Sequence, residues 1–219
     1  GNDLKAIYGD PDNIKVCYLS DPQNTDEYTL DWINPLRKDK QKMTEQSKAK
    51  AIIAGTGIAY SVKIKNQDKV ILTVDNPKLI VANAFFVERK IPAIHDTAVV
   101  HPDAQMGKDV FIGANVVIGK CIIGDNVIIL GNTYVYDNVT IKKNVEIHNG
   151  CSIGSEAHNF VRDEEENMIK FPHLGGLIIE DDVIIGANSV ISRGVLGDTV
   201  IKKGTKIAQL VFIGANNTI

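Results

Sequence analysis

No stretch of the 219-residue sequence is apolar over the roughly 20 residues that a membrane-spanning helix needs. No secretory signal pattern opens it, so a cytoplasmic protein is expected. Charge of one sign is also missing. A net charge of −3 gives no basic field for nucleic acid or an anionic lipid surface. The three cysteines, Cys17, Cys121 and Cys151, are odd in number and far apart. That pattern excludes a disulfide framework and fits a reducing compartment. No histidine pair stands at metal-ligand spacing with supporting cysteine or carboxylate, so no metal is expected. The length accommodates one domain plus a smaller second one.

What is present is a period of six. From Ile94 the aliphatic anchors are Val100, Met106, Ile112, Ile118, Ile123, Ile129, Val135, Ile141, Ile147 and Ile153. They resume at Ile179, Ile185 and Ile191, and again at Ile201, Ile207, Ile213 and Ile219. A helix repeats near 3.6 residues and a sandwich strand near 2, so neither produces this step. A parallel β-helix does. Four residues after most anchors stands a second small or β-branched residue, such as Val110, Val116, Val127 or Val145. Three after many stands Asn or Asp: Asn115, Asn126, Asn138, Asn144, Asp182, Asn188 and Asn216. These side chains tolerate the positive φ of a sharp corner. Two steps read as one residue short, Ile118 to Ile123 and Leu196 to Ile201.

The fold expected is mainly β: a parallel β-helix over residues 92–219, preceded by a small α/β domain over 1–91. Residues 155–178 break the register and leave the column as a loop, the kind of excursion that often carries function. In the first ninety residues, 49–55 and 69–77 read as buried strands. Residues 38–49 read as a polar helix, and Pro77 opens an apolar helical pattern through Leu79, Ile80, Ala84, Phe85 and Val87.

Three segments are more specific than the repeat. FPHLGGLIIEDDVIIGANSVISRGVLGDTVIKKGTKI (171–207) and IHNGCSIGSE (147–156) resemble the UDP-3-O-acylglucosamine N-acyltransferases of lipid A (lipopolysaccharide) synthesis. DWINP (31–35) and VDNPKLIVANAFF (74–86) are similar to that family's uridine-binding domain. The resemblance implies a left-handed β-helix, a homotrimer with sites in the clefts between columns, and a nucleotide-linked amino sugar as acceptor. No bound cofactor is implied; the acyl donor is a thioester of acyl carrier protein or coenzyme A. The family's general base is a histidine, and the matching position here is Ala215; the aspartate of the same coil is matched by Ala208. The family's later coils and C-terminal helices have no counterpart among these residues. A shorter nucleotide-sugar N-acetyltransferase using acetyl-CoA, or a catalytically impaired relative, therefore stands beside the main expectation.

The candidate residues follow from the chemistry. Acyl transfer to an amine needs a proton acceptor and donors for an oxyanion. His158, in the loop, and His148, after the anchor Ile147, are the catalytic candidates, with exposed surface histidines as the alternative. His173 in FPHLGG is a candidate for the acyl groove or a structural loop contact. Trp32 can stack on uracil and Asn34 can meet its donor–acceptor edge; the alternative is a tryptophan in a small core. Arg193 suits a phosphate or carboxylate, or an ion pair with Asp198 at a tight corner. Cys121 reads as an exposed corner and Cys151 as packing.

Overall fold

The computed structural model describes residues 4–20, 22–84 and 90–219. The chain divides into two compact units, Gly1–Glu88 and Arg89–Ile219.

The first unit is a five-stranded sheet built from β1 (Leu4–Tyr8), β2 (Tyr18–Leu19), β3 (Thr29–Ile33), β4 (Ala51–Ala54) and β5 (Val70–Val74) in the order β1-β5-β4-β3-β2. Strands β2 to β5 run parallel, and β1 is antiparallel to β5. Parallel neighbours need crossover connections. Helix α1 (Lys40–Gln46) supplies one between β3 and β4, and α2 (Val62–Lys65) supplies the next. The central strand β4, AIIA, is buried at every residue, as a strand covered on both faces must be. Ile33, Ile52, Ile58, Ile64 and Ile71 form the core. Helix α3 is described over Pro77–Ala84; the expected continuation through Phe85 and Val87 lies outside the described residues. Helix α1 is shorter than the polar stretch 38–49 suggests, because Lys69 closes its C-terminal end. The Lys69 ammonium donates to the carbonyls of Thr44, Glu45 and Ser47.

The second unit is a column of three parallel sheets with six, five and six strands. Most strands are two residues long, and the second residue of each is an anchor. From Ile112 to Ile201 the anchors lie fully inside and stack into one core with Val116, Val127, Val139, Val145 and Val183. The side chain one residue earlier lies outside this core: Ile122 is exposed where Ile123 is buried, and Ile128, though buried, is not part of the core. Asn115, Asn126, Asn138, Asn144, Asp182, Asn188 and Asn216 all take φ between 57° and 61°, as their place at the corners requires. The short step at Ile123 keeps its register, pairing with Met106 on one side and Ile141 on the other.

The other irregular step differs from its sequence reading. Leu196 is exposed and is no anchor. Ile191 and Ile201 occupy consecutive inward positions, and the residues between them include a turn thrown outward. The break at 155–178 also holds more order than a loop. Phe160–Arg162 and Met168–Lys170 pair as an antiparallel hairpin, its tip closed by Asp163, whose carboxylate accepts from the Glu165 and Asn167 amides.

Candidate active site

One corner of the column brings together two of the candidate residues, His158 and His173. The strands Ser152–Ser155, Val190–Ser192 and Phe212–Ile213 are stacked neighbours on one face. The first two lead into irregular segments, the long excursion and the outward turn at Arg193–Asp198, and the third into a regular corner of the repeat, Gly214–Asn217. Stacking therefore brings together residues that are far apart in sequence. The result is a cavity of about 410 Å³ lined by His158, Asn159, His173, Val195, Phe212 and Ala215, among others.

The returning limb of the excursion is fastened by backbone. The amides of Leu174 and Gly175 both donate to the Val195 carbonyl, at 2.6 and 3.1 Å. The Asp198 carboxylate accepts from the Gly176 amide at 2.7 Å. A methyl group at Gly175 would lie 1.9 Å from the Gly197 carbonyl oxygen, and one at Gly194 would lie 1.7 Å from it. Only glycine permits so close a backbone approach. The two glycine-containing motifs, FPHLGG and ISRGVLGD, are thus two halves of one clamp.

His173 sits inside this clamp. It is 3 % exposed, and neither ring nitrogen has a hydrogen-bond partner in the protein. An unpaired buried polar group costs about 1–3 kcal/mol, so its retention asks for a reason. His158 is exposed and lies 6.0 Å, ring to ring, from Phe160. Ala215 faces the same cavity as both imidazoles.

The repeats themselves have known counterparts. The family model "Bacterial transferase hexapeptide (six repeats)" matches residues 120–155, and "Hexapeptide repeat of succinyl-transferase" matches 176–201. Both matched stretches are hexapeptide repeats. The chain is similar to the UDP-3-O-acylglucosamine N-acyltransferase of Coxiella burnetii, with 49% identity over 70 residues, 32% of this chain and 20% of that protein. It is similar to the enzyme of the same name from Methylococcus capsulatus at 48% over 67 residues, 31% of this chain and 19% of that protein. Among solved structures, the UDP-N-acetylglucosamine acyltransferase of Francisella novicida matches with a TM-score of 0.50 and 26% identity, over 58% of this chain and 45% of that one. The matched stretch thus spans about a fifth of the curated relatives' length. The fold is a left-handed parallel β-helix.

A second cavity on the hexapeptide column, about 450 Å³, is lined by Tyr134, Tyr136, Asp137, Ser155, Glu156 and Arg193. Arg193 is not paired with Asp198, the partner its sequence neighbourhood suggests. Its guanidinium reaches Glu156 at 2.9 Å, and Glu156 also binds Lys170 of the hairpin. The hydrogen bonds from Lys170 and then Arg193 hold the Glu156 carboxyl below its ordinary range. The sequence reading missed Glu156, although it closes the IHNGCSIGSE motif; its partners come from two other segments, which local spacing does not reveal.

His148 stands apart from both cavities. It follows the strand Glu146–Ile147 on another face, and its Nε2 lies 3.1 Å from the Glu146 carboxylate. Cys121 is buried rather than exposed at its corner, and burial pushes its thiol up to about 11; Cys151 is buried as well.

In the first unit, Trp32 is half-buried on β3 and Asn34 is exposed just beyond it. The Asn34 amide oxygen accepts from the Leu36 amide, and its backbone carbonyl accepts from Arg37. Pro35 presses on Gly55, where a methyl group would lie 2.3 Å from the proline ring. The Asn-Pro turn is therefore fixed against the turn after β4. Among the described residues no cluster of three or more histidine, cysteine or acidic side chains could hold a metal. No helix among them is long and apolar enough to cross a membrane.

Proposed function

We propose that this protein transfers an acyl group from a thioester to the amine of a nucleotide-linked amino sugar. The observation that supports the reading best is the cavity in which a buried histidine from FPHLGG, a loop histidine and position 215 meet on a hexapeptide-transferase column. The apolar part of that lining, Ala157, Val195 and Phe212, suits an acyl chain. The imidazoles suit proton transfer at the reacting centre. The nucleotide is assigned to the first unit, with Trp32 as a stacking surface and Asn34 as a polar contact. Arg193 is assigned to substrate through its remaining N–H groups, in the second cavity. The active form proposed is a cytoplasmic homotrimer with acyl carrier protein or coenzyme A as the donor's carrier.

The test is direct. The protein is incubated with UDP-amino-sugars and with acyl thioesters of both carriers, from acetyl to long-chain, and free thiol and N-acylated sugar are measured. Turnover favouring long chains on acyl carrier protein supports the lipid A type of reaction; acetyl-CoA alone supports a short-chain acetyltransferase. No thiol release with any combination overturns the proposal.

Ala208 and Ala215 favour a second reading, in which the protein binds a nucleotide sugar without turnover. Tight binding of UDP-sugar with no product, and product only after Ala215→His, would establish that reading instead.

A further inference from the structure

We infer that His173 is the proton acceptor of the acyl transfer, acting from the returning limb of the excursion on the cavity that Ala215 leaves without a base. This rests on the acyl-transfer reading above. Three observations carry it. His173 lines the same cavity as Ala215. The residue is 3 % exposed, yet both ring nitrogens lack a partner in the protein, so one can accept a proton and the other can donate. Its backbone is pinned on the C-terminal side by the paired hydrogen bonds of Leu174 and Gly175 to Val195, so the ring is positioned without spending either nitrogen. The other histidines of the column fit less well. His158 is exposed, His148 is engaged with Glu146 on another face, and His95 and His101 are exposed in the first coils.

The step balances within the substrates. The sugar amine attacks the thioester carbonyl carbon, forming the C–N bond and placing charge on the carbonyl oxygen. The proton released from nitrogen passes to the free nitrogen of His173. Collapse of the tetrahedral intermediate breaks the C–S bond, and the departing thiolate takes the proton back from the imidazolium. The products are the amide and the free thiol, with His173 neutral again.

The experiment compares the full chain with His173→Gln, using His101→Gln as the control expected to keep its rate. Removing a positioned base costs about 10²–10⁴-fold in turnover. The expectation for His173→Gln is a loss in that range in kcat, a KM changed by less than threefold, and loss of the acid limb of the pH–rate profile. Adding Ala215→His to the His173→Gln protein should return at least tenfold of the lost rate. Circular dichroism reports folding; should the glutamine variant fold poorly, His173→Asn takes its place in the same assays. An active wild type whose variant keeps its rate and its pH profile overturns the assignment while leaving acyl transfer standing. A wild type with no turnover on any donor and acceptor overturns both.

Discussion

The column makes a demand that two adjacent isoleucines can test. Ile122 and Ile123 form one two-residue strand; the first is 47 % exposed and the second 2 %. Ile122 lies between Gln105 and Thr140 on the outer surface, and Ile123 between Met106 and Ile141 in the core. Replacing either with alanine costs the same strand preference, up to about 1 kcal/mol, which cancels in the comparison. What remains is burial. At Ile123 the lost transfer energy and the cavity together cost 2–5 kcal/mol in typical cores. The upper half of that range is expected, because parallel ladders on both sides stop the coil from closing over the gap. At Ile122 the same deletion removes half-wetted surface, at about 25 cal/mol per Å², and costs roughly 1 kcal/mol or less. The expected difference is about 3–4 kcal/mol. In a solenoid each coil contacts its neighbours, so the loss should appear first as local opening. Hydrogen exchange measured by mass spectrometry in rising urea, on peptides from residues 94–219, reads that opening directly. Equal losses at the two positions, or a larger one at Ile122, would refute the inward assignment of the anchors.

Two further outcomes are expected. A thiol-reactive disulfide reagent should titrate one of the three cysteines quickly, the exposed Cys17, while buried Cys121 and Cys151 respond only after denaturation; burial raises both of their pKa values. Fast labelling of two or three thiols in the native protein contradicts that burial. The first unit should gain stability between pH 8 and 10.5. Burial lowers the Lys69 pKa from 10.5 to about 8, against the opposing pull of Asp31. In that window the unfolded chain holds a proton that the folded one has released, so unfolding becomes harder as pH rises, whereas below pH 8 both states are protonated and the slope vanishes. Urea midpoints followed by the fluorescence of Trp32, the single tryptophan, should show the rise in the wild type and lose it in Lys69→Met.

The anchors and their corner residues were legible because both belong to a fixed local period. The six-residue step names the inward side chains, and the Asn or Asp three residues later marks the positive φ. The irregular parts were less legible because other segments of the chain decide them. Leu196 stands at an anchor-like distance from Ile201, yet the close approach of Gly194 to Gly197 throws that turn outward. Arg193 has Asp198 nearby in sequence, but stacking of Ser155 beside Ser192 delivers Glu156 instead. The hairpin strands carry apolar residues at Phe160, Val161, Met168 and Ile169, but the acidic run between them dominates the composition. For the site, the candidate residue types were readable, but the meeting of His158, His173 and Ala215 depends on three successive coils turning the same corner.

That shared corner makes the geometry of the clamp, rather than the composition of the motifs, the quantity to perturb. Gly175 and Gly197 lie on opposite sides of one contact, yet they are not equivalent. A methyl group on Gly175 meets the Gly197 carbonyl at 1.9 Å, while a methyl group on Gly197 meets nothing within 4 Å. A backbone oxygen cannot rotate aside as a side-chain tip can, so Gly175→Ala must push the returning limb away from the turn. That movement lengthens the bonds from the Leu174 and Gly175 amides to Val195 and loosens the backbone that follows His173. Gly197→Ala leaves all of this in place. The expected result is that amide exchange at residues 174 and 175 accelerates at least tenfold in Gly175→Ala and stays within threefold of wild type in Gly197→Ala. If both variants accelerate alike, the clamp is ordinary loop packing, and His173 owes its position to something other than the backbone of FPHLGG.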